Sequence, residues 1–202
     1  MPAYAGMTTM AVPKILVIPG SLRIASYNGK LAALAAKELA LADADVTRIS
    51  LADYPLPLFD AEMTAEVATP HYAVQLRRMV EAHQGVFMTS PEFSASVTPL
   101  IKNTIDWLSR PRARGEPAHE IFKDRVFAIS AAAPGGDGGV RSLMALRQIL
   151  ELGCGALVIP EQIAVANAGD AFDDMDELKD VNLAASLKAL ARRLVDLVRA
   201  IG

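Results

Sequence analysis

The residues best suited to binding a ligand lie in a short polar stretch near the start of the chain, Pro19 to Asn28. An apolar run precedes it, and apolar residues at helical spacing follow from about Gly29. The stretch is therefore predicted to be the turn between a strand and a helix. Its side chains can donate hydrogen bonds, and a helix N-terminus attracts anions, so the turn favours phosphate. The donors are Ser21, Arg23, Ser26 and Asn28.

The kind of phosphate follows from what this stretch lacks. A dinucleotide-binding turn needs three glycines at fixed spacing, and Gly20 is the only glycine between the first predicted strand and Gly29. A nucleoside-triphosphate loop ends in Gly-Lys-Ser/Thr, but here Leu31 follows Lys30. The hydroxyl-rich turn therefore suits a terminal phosphate monoester. The alternative is a turn in which serine or asparagine only caps the helix and Arg23 lies at the surface.

Size and composition favour one domain with a substantial core. The chain has 202 residues, a hydrophobic fraction of 52% and a formal net charge of −3. This charge implies no nucleic-acid or acidic-membrane partner, and no apolar run has transmembrane length. The only cysteine, Cys154, is predicted to be a buried small hydrophobe, which agrees with a reducing cytoplasm.

The first residues have a composition unlike that of the rest. Residues 1–13 are small and nearly uncharged, and they lack the basic and apolar regions of a secretory signal. We expect a loosely ordered tail, with Met10 as an alternative start. A single domain is expected to cover residues 14–202.

Strand and helix patterns alternate five times, which predicts an α/β fold with a parallel sheet covered on both faces. The second predicted strand carries polar residues and is expected at an edge of the sheet. Helices are predicted after Pro70, from Thr98-Pro99, through Leu152, and along an apolar stripe that ends at Ile201. The predicted strands are Lys14–Ile18, Asp45–Leu51, Gly85–Thr89, Arg125–Ser130 and Ala156–Ile159, and residues 52–60, with two prolines, are predicted to be a loop.

Three polar or glycine-rich loops follow predicted strand ends. They are the first loop, residues 19–28, the second loop, residues 90–97, and the third loop, residues 131–139. Ligands of open parallel sheets bind beyond the carboxyl ends of the strands. If the first strand lies beside the third, the three loops meet at one crevice. Taken singly, the second and third loops could also be ordinary surface loops.

Two motifs resemble the signature of the NADPH-dependent FMN reductase family. The first is Gly20-Ser21-Leu22-Arg23 followed by Ser26-Tyr27-Asn28. The second is Pro91-Glu92-Phe93 with Ser96, followed by Leu100-Ile101-Lys102-Asn103-Thr104-Ile105-Asp106-Trp107. The resemblance extends from about Lys14 to the last helix. It implies a flavodoxin-like three-layer sandwich, with a five-stranded parallel sheet in the order 2-1-3-4-5 and helices on both faces.

The resemblance also implies which residues bind FMN. Those assigned to the phosphate motif are Ser21, Arg23, Ser26, Tyr27 and Asn28. Those assigned to the ribityl chain and the isoalloxazine are Pro91, Glu92, Phe93, Ser94 and Ser96. The backbone of Ala132, Ala133, Pro134, Gly135 and Gly136 would border the ring from the other side. Phe93 replaces the usual tyrosine and Ser94 the usual asparagine, so flavin affinity or redox potential is expected to differ from the family norm.

By the same resemblance, the activity is hydride transfer from NADPH or NADH through N5 of FMN. The acceptor would be a quinone, a flavin, chromate or an azo dye, in a ping-pong cycle without a catalytic side chain. A homodimer or homotetramer is implied. Three alternatives stay open: a flavodoxin-type electron carrier, a phosphate-binding domain without flavin, and a phosphomonoester hydrolase. Carriers are usually strongly acidic, and the hydrolase lacks an evident nucleophile or metal set.

Several other polar residues are predicted to have structural or surface roles. The group around Lys102, Asn103, Asp106 and Trp107 is expected to make helix–loop hydrogen bonds and packing contacts. Arg112 and Arg114 lie in a predicted exposed loop, and they could instead contact the 2′-phosphate of NADPH. Ordinary surface or interface positions are expected for His71, His83 and His119. A solvated acidic turn that caps the last helix is expected for Asp170, Asp173, Asp174, Asp176 and Glu177.

Overall fold

A five-stranded parallel sheet lies at the centre of the fold. The computed structural model describes residues 11–60, 69–110, 115–117 and 119–201. Every neighbouring pair of strands is parallel, in the order β2-β1-β3-β4-β5, which confirms the predicted fold class and strand order. The strands are β1 Lys14–Pro19, β2 Asp45–Arg48, β3 Gly85–Thr89, β4 Val126–Ala132 and β5 Leu157–Val165.

Helices cover both faces of the sheet. Helices α1 and α7 pack on one face, and α2, α3, α4 and α5 pack on the other. Helix α5 continues into a π-helical turn, Ile149–Gly153. The helices are α1 Tyr27–Leu41, α2 His71–Glu81, α3 Pro99–Leu108, α4 Glu120–Lys123, α5 Val140–Gln148, α6 Ala168–Ala171 and α7 Val181–Ile201.

The three central strands are buried on both faces. In β1, Ile15 and Val17 belong to the core beneath α1 and α7, whereas Leu16 and Ile18 belong to the core on the other side. Successive side chains of a strand point to opposite faces, so a strand covered twice must be apolar throughout. This explains why the continuous apolar runs predicted these strands well. The C-terminal ends of β1, β3 and β4 consequently lie side by side.

The two edge strands differ from their predictions. Strand β2 ends at Arg48 instead of the predicted Leu51, and a 3₁₀ turn, Leu51–Asp53, joins the predicted strand end to the predicted loop. Strand β5 runs on to Val165, whereas it was predicted to end at Ile159. The longer strand contains a bulge, where the register with β4 shifts: Val158 pairs with Phe127, and the next pairing joins Gln162 to Ile129.

Two predicted features lie partly or wholly outside the described residues, and two others can be assessed. The predicted tail falls mostly in residues 1–10, and Arg112 and Arg114 also lie outside. Cys154 is buried, and burial raises the pKa of its thiol to about 11, which confirms its prediction. The surface prediction for His83 is wrong: the residue is buried, and its Nδ1 lies 2.6 Å from the Met79 carbonyl oxygen.

Candidate functional site

A cleft of about 510 Å³ opens where the carboxyl ends of β1, β3 and β4 meet. It brings together predicted residues from all three loops: Ser21, Arg23, Ser26, Tyr27, Asn28, Pro91, Glu92, Phe93, Ala132, Ala133 and Pro134. The predicted residues Ser94, Ser96, Gly135 and Gly136 are not in its lining. The lining also includes residues that the sequence reasoning did not assign: Gly20, Leu22, Thr98, Pro99 and Leu100.

The first loop starts with a close contact to the neighbouring strand. The Gly20 amide donates to the Thr89 carbonyl oxygen at 2.8 Å, and the Thr98 hydroxyl donates to the Gly20 carbonyl oxygen at 3.3 Å. A Cβ at position 20 would lie 2.1 Å from Cδ1 of Ile101 and 2.6 Å from the Thr89 carbonyl oxygen. Only glycine therefore fits here, because any side chain would collide with α3 and β3.

Ser26 sets the start of helix α1. Its hydroxyl oxygen accepts a hydrogen bond from the Gly29 amide at 3.1 Å, which is the geometry of an N-cap. The helix therefore begins at Tyr27, earlier than the predicted start near Gly29. The Ser26 hydroxyl hydrogen can still be donated to a ligand, because the cap uses the oxygen only as an acceptor.

Asn28 links the first loop to the third. Its side-chain amide donates to the Ala132 carbonyl oxygen at 2.7 Å, and its side-chain oxygen accepts from the Ala132 amide at 3.1 Å. The side chain is buried, and the Thr89 hydroxyl donates to the Asn28 carbonyl oxygen at 3.0 Å. One amide hydrogen of Asn28 is left for a phosphate. A direct phosphate contact through that hydrogen stays a prediction.

Ser21 and Arg23 are the more accessible donors of the first loop. The Ser21 hydroxyl oxygen accepts from the Arg23 amide at 3.3 Å, and its hydrogen can still be donated. The exposed Arg23 guanidinium makes no ion pair or side-chain hydrogen bond with the part of the chain that the structure describes. An anion in the cleft would therefore meet a cation that has no other partner within those residues.

The second loop contains a tight two-residue turn. Phe93 and Ser96 exchange two backbone hydrogen bonds of 3.0 Å, and the two residues between them have positive φ angles, 49° at Ser94 and 61° at Ala95. Two left-handed residues between paired positions correspond to a type I′ turn. Asparagine tolerates this conformation better than serine or alanine, so Ser94 adds backbone strain. The Phe93 ring lies at the cleft and is 56% exposed.

The Glu92 side chain is directed to the start of helix α5. Its carboxylate accepts from the backbone amides of Arg141 and Ser142 at 3.1 and 3.3 Å, and from Nε of Arg141 at 2.8 Å. Nη2 of Arg141 also lies 2.5 Å from Oδ2 of Asp137. The hydrogen bond with Glu92, followed by the charges of Asp137 and Glu92, raises the pKa of Arg141. Glu92 was predicted to line the cleft, whereas Arg141 was not predicted to contribute to it.

The third loop is tied to the end of β5. The Ala133 amide donates to the Val165 carbonyl oxygen at 3.1 Å, and the Ala168 amide donates to the Ala133 carbonyl oxygen at 3.0 Å. Gly138 has a φ of +63°, and a Cβ there would lie 2.8 Å from backbone atoms of Ala164 and Ala166. The unpredicted second half of β5 therefore supports this wall of the cleft.

The acidic segment after β5 packs against α1. The Tyr27 ring, which lines the cleft, stacks on Phe172 with a centroid distance of 6.4 Å. Asp176 and Glu177 each lie 2.5 Å from a lysine of α1, namely Lys30 and Lys37. These two residues do not cap α7, which corrects the prediction. The capping carboxylate is that of Asp180, which accepts from the Asn182 amide at 2.8 Å.

The polar group of helix α3 has the predicted structural role. The Asn103 side chain accepts from the Phe59 amide at 2.7 Å and donates to the Pro57 carbonyl oxygen at 2.9 Å. The buried Trp107 donates to the same oxygen at 2.7 Å. Lys102 and Asp106 form an exposed ion pair. Asn103 and Trp107 thus hold the segment after β2 against α3, and all four residues lie outside the cleft lining.

Neither a membrane-spanning helix nor a metal cluster is found in the residues described. None of those residues belongs to a helix long and apolar enough to cross a bilayer. Within the same ranges, no three side chains of histidine, cysteine, aspartate or glutamate are placed to hold a metal ion.

Comparison with known proteins gives consistent matches. The family model described as NADPH-dependent FMN reductase matches residues 13–170. A quinone reductase of Pseudomonas putida is 33% identical over 172 residues, which are 84% of this chain and 86% of that protein. An NAD(P)H-dependent FMN reductase of Pseudomonas aeruginosa is 32% identical over 169 residues, 83% of this chain and 85% of that protein.

Solved structures show the same fold. The flavoenzyme FerB, an NAD(P)H:(acceptor) oxidoreductase from Paracoccus denitrificans, superimposes with a TM-score of 0.78 at 24% identity. The match covers 95% of this chain and all of the other.

Proposed function

This chain belongs to the NADPH-dependent FMN reductase family, a family of oxidoreductases, and we propose that it binds FMN in the cleft and reduces small electron-poor acceptors with NADPH or NADH. Quinones are the acceptor class that we expect first, because the name of the Pseudomonas putida relative specifies them. The observation that carries the proposal is the composition of the cleft. Accessible donors come from the first loop, and apolar surfaces come from the second and third loops.

The residues present fit FMN chemically. A phosphate monoester needs several donors and a positive charge, and Ser21, Arg23 and Ser26 supply them beside the N-terminus of α1. A flat heteroaromatic ring needs apolar walls, and Phe93, Pro134 and neighbouring small residues supply them.

The protein would bind, orient and shield the cofactor. FMN, when bound, supplies the hydride chemistry. The first loop would hold the phosphate, the Asn28–Ala132 hydrogen bonds would fix the spacing of the first and third loops, and Phe93 would cover apolar surface from water. No side chain is assigned as acid or base. We propose that NAD(P)H and the acceptor both reach the bound cofactor through this cleft and therefore occupy it in turn, which is a ping-pong order.

The cofactor is tested by the absorption spectrum of the purified protein after FMN has been added and the excess removed. We expect a retained flavin spectrum that bleaches on addition of NADPH and recovers on addition of a quinone. Failure to retain flavin, together with no NADPH oxidation in the presence of free FMN, would contradict the proposal. Retained flavin that NADPH does not reduce would favour an electron carrier.

The order of substrates is tested by initial rates at several concentrations of NADPH and quinone. Parallel double-reciprocal lines are expected, and intersecting lines would contradict the ping-pong order.

The homodimer or homotetramer implied by the resemblance is also proposed for this chain. Light scattering of the protein as it elutes from a size-exclusion column measures its mass directly, and a monomer mass would contradict this proposal.

A further inference from the structure

Among the residues that the structure describes, the cleft lining contains two charged side chains, Arg23 and Glu92, and they have opposite signs. Arg23 has no partner within the described residues, so it is available to an anion. A free Glu92 carboxylate would repel the same anion, because like charges in a partly desolvated site disfavour each other. The charge of Glu92 therefore has to be compensated if the cleft is to bind phosphate well.

Arg141 provides this compensation from outside the cleft. Its Nε and Nη2 lie 2.8 and 2.6 Å from the same oxygen of Glu92. The other oxygen accepts from two backbone amides at the start of α5. The Glu92 side chain is 8% exposed and that of Arg141 is 56% exposed, so the pair runs from the cleft to the surface.

Arg141 also balances the charge of a second carboxylate, that of Asp137. The guanidinium also contacts this second carboxylate, which belongs to the third loop. Without Arg141, the two carboxylates would lie near the start of α5 with only the helix dipole and backbone amides to offset their charge. Arg141 thus connects the second and third loops and balances both acidic groups.

We propose that Arg141 is a positioning residue of the cleft, which neutralises Glu92 so that an anionic ligand meets the charge of Arg23. This inference rests on the proposed function, with FMN as the anionic ligand. Arg141 is assigned no contact with the ligand. It acts through Glu92.

The test is a fluorescence titration of the apo-protein with FMN at about 20 mM and at about 1 M salt, where the Debye length is about 3 Å. Arg141→Gln is expected to raise the Kd about fivefold at low salt, the scale of one partly solvated charge pair. At high salt most of this difference should disappear. A loss of packing would not depend on salt in this way.

Two further variants separate charge from structure. Arg141→Lys keeps the charge, and the double variant Glu92→Gln/Arg141→Gln removes both charges, so both should bind within about twofold of wild type. Arg193→Gln is the matched control, since Arg193 is 50% exposed beside Glu161 and lies outside the cleft lining. Circular dichroism of each variant checks that it is folded.

The outcomes distinguish this inference from the proposed function. If the wild type binds FMN and Arg141→Gln binds equally well, the inference is overturned and the function stands. The same holds if the double variant is as weak as Arg141→Gln or if the deficit is unchanged at high salt. A wild type that does not bind FMN would overturn both.

Discussion

The floor and the rim of the cleft use polar residues in opposite ways. The floor consists of the buried residues Gly20, Ser26, Asn28 and Thr98, and its polar side chains bond to backbone groups of α1, Ala132 and Gly20. On the rim, Ser21 and Arg23 belong to the same loop but are more exposed, and Arg23 has no side-chain partner in the described chain. The floor therefore sets the shape of the cleft and keeps only single hydrogens of Ser26 and Asn28 for a ligand, whereas the rim side chains are mainly left to recognise it.

The largest effect is expected on the floor at Gly20. Gly20→Ala would place a Cβ against Ile101 and the Thr89 carbonyl, and we expect a loss of about 3 kcal/mol or more in the free energy of unfolding. Urea denaturation measures it. The control is Gly136→Ala, where a Cβ meets nothing within 4 Å and the change should stay within about 0.5 kcal/mol. Equal stability of the two variants would show that the floor is not tightly packed.

The next effect concerns the bonds between the first and third loops. Asn28→Ala removes both side-chain bonds to Ala132 and leaves a buried amide and carbonyl unpaired, at a cost of about 2 kcal/mol. Urea denaturation again reports the change. The matched control is Asn182→Ala, at an exposed position on α7, and little change is expected there. An Asn28→Ala protein as stable as the control would contradict a floor role for Asn28.

A rim residue should affect binding and leave stability unchanged. Arg23→Ala removes an exposed cation that has no partner among the described residues, so the free energy of unfolding should change by less than about 0.5 kcal/mol. We expect the Kd for FMN to rise about tenfold or more, the size of one charge-assisted hydrogen bond. Arg192→Ala, on the exposed side of α7, is the control for loss of a positive charge. A Kd equal to that of the wild type for Arg23→Ala would contradict phosphate binding at this loop.

The smallest effect is expected in the tight turn of the second loop. Ser94→Asn places a residue that tolerates positive φ at a position whose φ is 49°, and it should raise stability by about 0.5 kcal/mol. Thermal unfolding detects this as a small rise in Tm. Ser96→Asn, outside the two left-handed positions, should give no such gain. A lower Tm for Ser94→Asn would mean that the serine side chain has a role beyond backbone geometry.

The features that could be predicted from the sequence are those that depend on residues close together in the chain. The strands β1, β3 and β4 are apolar throughout, so their existence was readable from composition. The donors of the first loop were recognised by their residue types, and the structure brings them to one cleft. Both features are local, since each depends on residues that are close together in the chain.

Contacts between distant residues could not be read in the same way. The Asn28–Ala132 bonds join positions 104 residues apart, and the Glu92–Arg141 pair joins positions 49 residues apart. No spacing rule reveals which arginine neutralises which carboxylate. The second half of β5 was missed for another reason, because Pro160 and the polar residues after it are typical of a strand end.

The two edge strands of the sheet, β5 and β2, also affect the tendency of the protein to aggregate. An exposed edge strand is a template onto which a strand of another chain can add, which is a route to aggregation. Here Pro160 lacks an amide hydrogen, and Arg147 donates to the Ile159 carbonyl oxygen at 2.9 Å. The opposite edge, β2, has only four residues. Both margins of the sheet are therefore poor templates for intermolecular strand pairing, which favours a protein that stays dispersed at high concentration.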